Sequence, residues 1–134
     1  IATFSPAQSS EPAELPDDTY PFVMCTGRQL YHWHTGTMTR RSRGLDAREP
    51  LATVEIHPDD AAALGLADGD AVRLTSRRNS VVMSARVSDR VARKQVFVPF
   101  HFREAAANLL TSPVLEPHAK MAELKVCAVA VSRA

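Results

Sequence analysis

Apolar residues fall in short runs along this chain, and most runs alternate with polar positions at the period of a strand. Phe22-Val23-Met24-Cys25 leads into Thr26 and predicts a first strand over 22–26. Leu51-Ala52-Thr53-Val54-Glu55-Ile56 alternates and predicts a second. Ala71–Ser76 and Val81–Val87 predict a hairpin joined across Arg77-Arg78-Asn79-Ser80. Gln95–Phe100 and Val126–Ser132 predict two more strands. One run breaks the pattern. Pro58-Asp59-Asp60-Ala61-Ala62-Ala63-Leu64 has proline and acids where a helix begins and Gly65 where it ends, so it predicts a short helix. Ala67-Asp68-Gly69-Asp70 then reads as a turn, and capping accounts for Asp59, Asp60, Asp68 and Asp70. A helical turn or short helix is expected over Glu104–Leu110. The fold class is mainly β, with one or two short helices.

Two segments carry neither period. Residues 1–21 hold Pro6, Pro12, Pro16 and Pro21 with Ser9, Ser10 and several acids between them. That composition suits a linker or extended arm and leaves 22–134 as the folded domain. The segment from Gly27 to Pro50 is polar and loop-like, with basic residues at Arg40, Arg41 and Arg43. Loops of that length inside a compact domain are usually functional or disordered.

Composition narrows the classes without naming a function. A chain of 134 residues, 45% hydrophobic and 23% charged, suits one globular domain or a domain with a tail. A net charge of +1 gives no argument for nucleic-acid binding. No apolar run reaches the length of a membrane span. Cys25 and Cys127 lie in strand-like surroundings without C-x-x-C spacing, which predicts buried free thiols and fits a reducing, cytoplasmic setting. The start Ile1-Ala2-Thr3-Phe4 has no methionine and no signal-peptide pattern, as expected of a processed or excised chain.

The chemistry concentrates in three places. Residues 26–41, from Thr26-Gly27-Arg28-Gln29-Leu30-Tyr31-His32-Trp33-His34-Thr35 onward, pack glycines, hydroxyls, imidazoles and guanidiniums behind a strand. Such a run makes a poor core and a good ligand loop. His32 and His34 would face one side of an extended segment, a spacing that suits a metal pair, yet no third ligand follows at a recognisable spacing. Each histidine could equally hold the loop by a hydrogen bond, and Trp33 is expected to pack. The second place is Val98-Pro99-Phe100-His101-Phe102 followed by Arg103 to Thr111, where Phe100 and Phe102 could be core residues and Asn108 could cap a turn. The third is Lys120 to Cys127, where Lys125 could reach a phosphate or simply be solvated. Paired carboxylates suited to acid–base work are absent from the polar loops, and no Walker or G-x-G-x-x-G motif appears.

In this order the three constellations resemble the C-terminal domain of the molybdopterin oxidoreductases, the superfamily of formate dehydrogenases, periplasmic nitrate reductases and dimethyl sulfoxide reductases. The likeness spans about residues 19–132 and is nearest to the formate dehydrogenase alpha subunit. It implies a double-psi-like β-barrel that closes over one of two molybdopterin guanine dinucleotides, with molybdenum or tungsten held by the rest of the enzyme. It implies cofactor contacts from Thr26, Gly27, Arg28, Gln29, Leu30, Tyr31, His32, Trp33, His34 and Thr35, further contacts from Asn108 and Lys125, and a substrate-side position for Phe100. No catalytic residue and no metal ligand is expected here. The family's metal-ligating cysteine or selenocysteine and its iron–sulfur motif lie far upstream, and Cys25 and Cys127 do not stand in for them. The chain therefore resembles an excised oxidoreductase domain that is not catalytic alone. Its implied partners are the remaining domains of the same catalytic subunit and electron-transfer subunits. Formate oxidation to carbon dioxide is the expected reaction of the intact enzyme, and Tyr31 with Phe100-His101-Phe102 leans that way. The same domain of a nitrate reductase is the alternative, and a stand-alone double-psi barrel used for binding or interaction is a third reading.

Overall fold

The computed structural model describes residues 2–6 and 11–134. Of the expected arm, residues 1 and 7–10 lie outside the described residues. Six strands form: β1 (Phe22–Gly27), β2 (Thr53–Ile56), β3 (Ala71–Thr75), β4 (Ser80–Val87), β5 (Gln95–Pro99) and β6 (Val126–Arg133). They close into a barrel in the order β1-β5-β2-β4-β3-β6. Closure removes the unpaired edges that a six-strand sheet would otherwise expose.

Two pairs, β1 with β5 and β2 with β4, are parallel, and the other four are antiparallel. Exchanging β1, β2 and β3 for β4, β5 and β6 maps each pairing onto one of the same sense, with β2–β5 and β3–β6 mapping onto themselves. The barrel is thus two interleaved halves related by a pseudo-two-fold axis, the double-psi arrangement. Side chains obey the period of two. Met24, Val54, Ile56, Val72, Leu74, Val96, Val98 and Val129 are fully buried in the interior. Each large one contributes about 1.5–3 kcal/mol by leaving water.

The expected helix forms at Pro58–Ala63, here α2; α1 is a single turn at Arg43–Asp46 within the long loop. The Asp59 N–H donates to His57 Nδ1 at 3.1 Å, so an imidazole caps the helix rather than a carboxylate. Gly65 ends it at φ 65°, with Leu66 N–H donating to the Ala61 carbonyl at 2.9 Å and Gly65 N–H to Ala62 at 3.1 Å. Asp60 does not cap. Its buried carboxylate accepts the Lys94 N–H at 2.6 Å and ties α2 to the β4–β5 connection. Asp68 accepts the Val87 N–H at 2.8 Å, across the barrel end from its own turn.

Two other expectations shift. β2 begins at Thr53, because its register with β4 starts at Thr53–Ser84. The helix expected over 104–110 is instead two 3-10 turns, Arg103–Ala105 and Ala107–Leu109, broken by extended backbone at Ala106. The core takes Ala105, Ala107 and Leu110 from this segment, a spacing that one face of an α-helix does not present. Both cysteines are free, Cys127 buried and Cys25 half-buried. Burial pushes the Cys127 thiol up to about 11, which keeps it unreactive. Among the described residues, no helix is long and apolar enough to cross a membrane.

Among the described residues before β1, Glu14 makes the most buried attachment, beside Ala13 on Glu123 and Asp17 on Arg77. The Glu14 carboxylate accepts two bonds from the Arg78 guanidinium and the Ala128 N–H at 2.8 Å, and the Arg78 partner holds its pKa below the usual carboxylate range. Arg78 also donates to the Leu110 carbonyl at 2.9 Å, so the fastening reaches three segments.

The register predicts how the two faces of the barrel differ in substitution. Leu74→Ala empties interior volume and should cost about 2–5 kcal/mol in urea unfolding of this chain. Val82 is 42% exposed on the outer wall, and Val82→Ala should cost less than about 1 kcal/mol. Equal losses for the two would show that the strand faces are assigned wrongly.

Candidate functional site

β1 and β5 are parallel neighbours whose last residues pair, Gly27 with Pro99. Their continuations, residues 28–52 and 100–125, therefore leave the same end of the barrel side by side. Among the described residues, the connections at the opposite end are α2 with its turn and the short β4–β5 connection. Gly27 is required at the exit, since a Cβ there would overlap the Phe97 ring.

His101 joins the two long connections. It is 1% exposed; its Nε2 accepts the Gln29 N–H at 2.8 Å, and its Nδ1 meets the His34 carbonyl. A carbonyl only accepts, so the proton sits on Nδ1 and Nε2 is bare. One neutral tautomer therefore clasps both ends of the 29–34 turn. Burial pushes the His101 pKa down, the bond to the His34 carbonyl opposes that, and His32, Arg28 and His34 lower it further. His34 and Gly36 take positive φ of 49° and 73° where the chain reverses.

His32 is the second fastener. It is 3% exposed, donates from Nε2 to the Glu49 carbonyl at 2.8 Å, and meets the Thr39 hydroxyl at 3.3 Å through Nδ1. Its ring packs 5.6 Å from His101 and edge-on to Phe102 at 5.5 Å. His32 and His34 thus do not share a side, because residues 30–38 turn instead of extending. His34 is exposed and its Nε2 accepts from the Arg28 guanidinium at 3.1 Å. Among the described residues, no group of three His, Cys, Asp or Glu side chains could hold a metal ion.

The remaining singled-out residues divide into supports and free groups. Thr26 is buried; its hydroxyl donates to the Leu124 carbonyl at 2.6 Å and its N–H to that of Lys125 at 3.2 Å, which straps the third constellation to the first. Lys125 Nζ lies 3.5 Å from the Thr26 carbonyl and 5.5 Å from the Phe100 ring centre. Phe102 is core, whereas Phe100 is half-buried and borders an open cleft. Trp33 does not pack inward. It is 56% exposed, with the Arg28 guanidinium 5.4 Å over its ring. Leu30 is exposed and Tyr31 half-buried. Arg40 is structural: it pairs with Asp46 at 3.2 Å and Glu104 at 2.7 Å, while Arg41 and Arg43 are exposed.

Among the described residues, clefts flank this loop, and two of them border its singled-out residues Arg28, Gln29, Phe100 and Asn108. One, about 300 Å³, is bordered by Thr35, Thr37, Phe100, Arg103 and Asn108. The other, about 480 Å³, runs down the outer wall of β5 and β2 and is lined by Arg28, Gln29, Leu30, Glu49, Glu55, Arg90 and Phe97 among others. Thr37 and Arg103 fall within the first and second constellations, whereas sequence reasoning missed Glu55 and Arg90. Glu55 lies in an alternating strand and looks solvent-facing until the 28–50 loop is seen to line the same cleft. In the larger cleft, both polar atoms of the Gln29 carboxamide are buried and have no partner. Guanidinium, ammonium, hydroxyl and amide donors beside two ring-sized clefts suit an elongated anionic ligand with polar rings.

Comparison with known proteins agrees with that arrangement. Residues 22–128 match the family model of the Molydopterin dinucleotide binding domain. The chain is 47% identical over 130 residues to an F420-dependent formate dehydrogenase subunit alpha of Methanocaldococcus jannaschii, covering 96% of this chain and 19% of that protein. It is 43% identical over 124 residues to an F420-dependent formate dehydrogenase 1 subunit alpha of Methanococcus maripaludis, covering 92% and 18%. It is 46% identical over 128 residues to a nitrate reductase of Symbiobacterium thermophilum, covering 92% and 17%. The chain spans about a fifth of the length of these relatives. Acetylene Hydratase from Pelobacter acetylenicus shares the fold with a TM-score of 0.76 at 14% identity, over 86% of this chain and 18% of that one.

The His101 clasp predicts a pH response. Its folded pKa lies below the ordinary value of 6.5, so the clasp is complete above 6.5 and is lost as pH falls through the folded value. Amide hydrogen exchange should show Gln29 N–H protected at pH 7 and opened by acid, with the Thr26 N–H unaffected. Protection of Gln29 that survives in His101→Ala would show that the imidazole does not hold the loop.

Proposed function

The chain belongs to the Molydopterin dinucleotide binding domain family, and from that premise we propose that it holds a molybdopterin guanine dinucleotide in the catalytic subunit of a formate dehydrogenase-like oxidoreductase. One observation carries the fit to that group. Gln29 keeps a carboxamide out of water with neither atom bonded, on the loop that also presents Arg28 and His34. A buried amide without partners is costly unless a ligand supplies them.

In this reading Arg28 and Lys125 face the diphosphate as cationic donors, helped by the backbone of the Thr26–Thr35 loop. Asn108 hydrogen-bonds a ring of the cofactor, and Phe100 borders the substrate side. Thr26, His32 and His101 set the loop's shape. When bound, the cofactor and its molybdenum or tungsten supply the two-electron chemistry that converts formate to carbon dioxide. This chain's residues bind and orient, and they shield one side of the cofactor from water. An iron–sulfur cluster elsewhere in the enzyme and separate electron-transfer subunits would carry the electrons, in the cytoplasm. Residues 1–21 serve as the connector from the preceding domain, with Glu14 as its anchor.

The formate assignment draws on identities of 47% and 43% to formate dehydrogenase alpha subunits. A nitrate-reducing enzyme is the second reading, because the identity to a nitrate reductase is 46%. Assays of formate oxidation and nitrate reduction by the full-length protein separate the two.

The binding role is tested in the same full-length protein. Arg28→Ala and Asn108→Ala each remove a donor to the cofactor, and each should weaken retention about tenfold or more. Metal analysis and pterin fluorescence of the purified variants read this directly. Full cofactor content in both variants would sink the site assignment.

A further inference from the structure

We propose that the cleft between the 28–30 segment and the outer wall of β2 and β5 recognises the amino–oxo edge of a fused pyrimidine ring, through Glu55 and Gln29. That edge carries a ring N–H, an exocyclic amino group and a ring oxo group, and guanine and pterin share it. The inference rests on the cofactor reading above and specifies which part of such a ligand this wall receives.

Glu55 points outward from β2, opposite Phe97 of β5 in the register. Its side chain is nevertheless only 8% exposed, in a cleft that Arg28, Gln29 and Leu30 of the loop after β1 also line. Among the described residues, the cation that comes within 4 Å of it is Arg90, at 3.8 Å and itself 77% exposed, while Arg86 opposite it in the register is taken by Glu49. That separation is too long for a hydrogen bond. Among the described residues, no N–H or O–H donates to the Glu55 carboxylate. Its oxygens therefore have no protein donor among those residues, and a ligand that presents N–H groups in this cleft would gain hydrogen bonds there. Gln29 borders the same cleft with its own two polar atoms buried and unbonded.

Two other polar residues of the wall are already engaged. Glu49 bonds Arg86 at 3.0 Å, and Gln95 donates to the Cys25 sulfur at 3.1 Å. What remains open is two carboxylate acceptors, one amide donor and one amide acceptor, with the Phe97 ring in the wall. A ring N–H beside an amino group satisfies the carboxylate in bidentate fashion, as a guanidinium does. The oxo group beside them takes the amide N–H. Adenine fails this test, since its bare ring nitrogen would face the carboxylate. Phosphate fails it too, because Glu49 and Glu55 both repel an anion, whereas Arg28 stands at the rim. The volume of about 480 Å³ accommodates a bicyclic ring.

The direct test is the structure of the cofactor-loaded full-length enzyme that contains this chain. The expected result is a ring N–H and amino group against Glu55 with the oxo group near Gln29, and the ring seen there, guanine or pterin, names the source. A cofactor that touches Arg28 and Asn108 while this cleft holds solvent, phosphate or sugar overturns the inference and leaves the loop reading standing. A cofactor that touches neither loop nor cleft overturns both. In solution, Glu55→Gln keeps the shape but replaces one acceptor with a donor. It should speed release of the pterin from the holoenzyme about tenfold, followed by fluorescence of the oxidised product. Gln29→Leu, at a half-exposed position, should do the same and guards against a folding defect in the first variant. Arg73→Gln, on the exposed face of β3 across the barrel, should leave release unchanged. Wild-type release from both cleft variants overturns the inference, while Arg28→Ala tests the broader reading separately.

Discussion

In a parallel strand pair both chains leave at the same edge, and neither can return by a tight turn. The pairing of β1 with β5 therefore brings the connections that follow both strands out at one end of the barrel. The Phe100 N–H donates to the Gly27 carbonyl at 3.3 Å, so the pairing persists one step past the strands and carries both connections out in register. Gly27 lets the backbones approach over Phe97, and Pro99 needs no ladder partner at the point where the ladder ends. The loop geometry, the His101 clasp and the two clefts all follow from that shared exit.

The pseudo-two-fold axis makes the other parallel pair, β2 with β4, the structural counterpart of β1 with β5. The two ends are built differently all the same. After β2 and β4 the chain spends its polar groups on itself, with Asp60 on Lys94, Asp68 on Val87 and Asp70 on Ala67 and Arg133. After β1 and β5 the histidines and Thr26 are satisfied internally, while Gln29 and Glu55 are not. Both ends descend from one pairing scheme, so the asymmetry lies in the connections rather than the barrel. Stability and binding are thereby separated: the barrel's core does not need the open groups, and the open groups do not need to belong to the core.

Strands and the short helix were legible in the sequence because their periods are local. Leu74 and Val72 bury while Arg73 does not, and the alternation says so without a fold. The Schellman end at Gly65 is equally local. Residues whose role depends on distant partners were not legible in this way. Trp33 looks like a packing residue by type, but the loop turns it outward over Arg28. His32 and His34 look like a pair by spacing, but a turn buries one and exposes the other. Glu55 carries no signal at all, since the cleft that it lines is shared with a segment far from it in the chain. Closure of the barrel came from family resemblance, as no strand pattern specifies which strands pair.

The division between satisfied and unsatisfied groups also explains why the loop can wait for a ligand without collapsing. An open loop of donors and aromatic rings would ordinarily find partners within itself. Here several candidate partners are engaged elsewhere. His101 holds the Gln29 backbone while leaving its side chain aside. His34 accepts from Arg28 without bearing a counter-charge, so the guanidinium stays a cation free for an anion. Glu104 and Asp46, acids that could reach basic residues of the loop, are both taken by Arg40. Histidines in place of carboxylates thus hold this loop in shape beside Arg28. They fix the backbone by hydrogen bonds that add no negative charge, whereas a carboxylate in the same positions would neutralise the donors that the site exists to present.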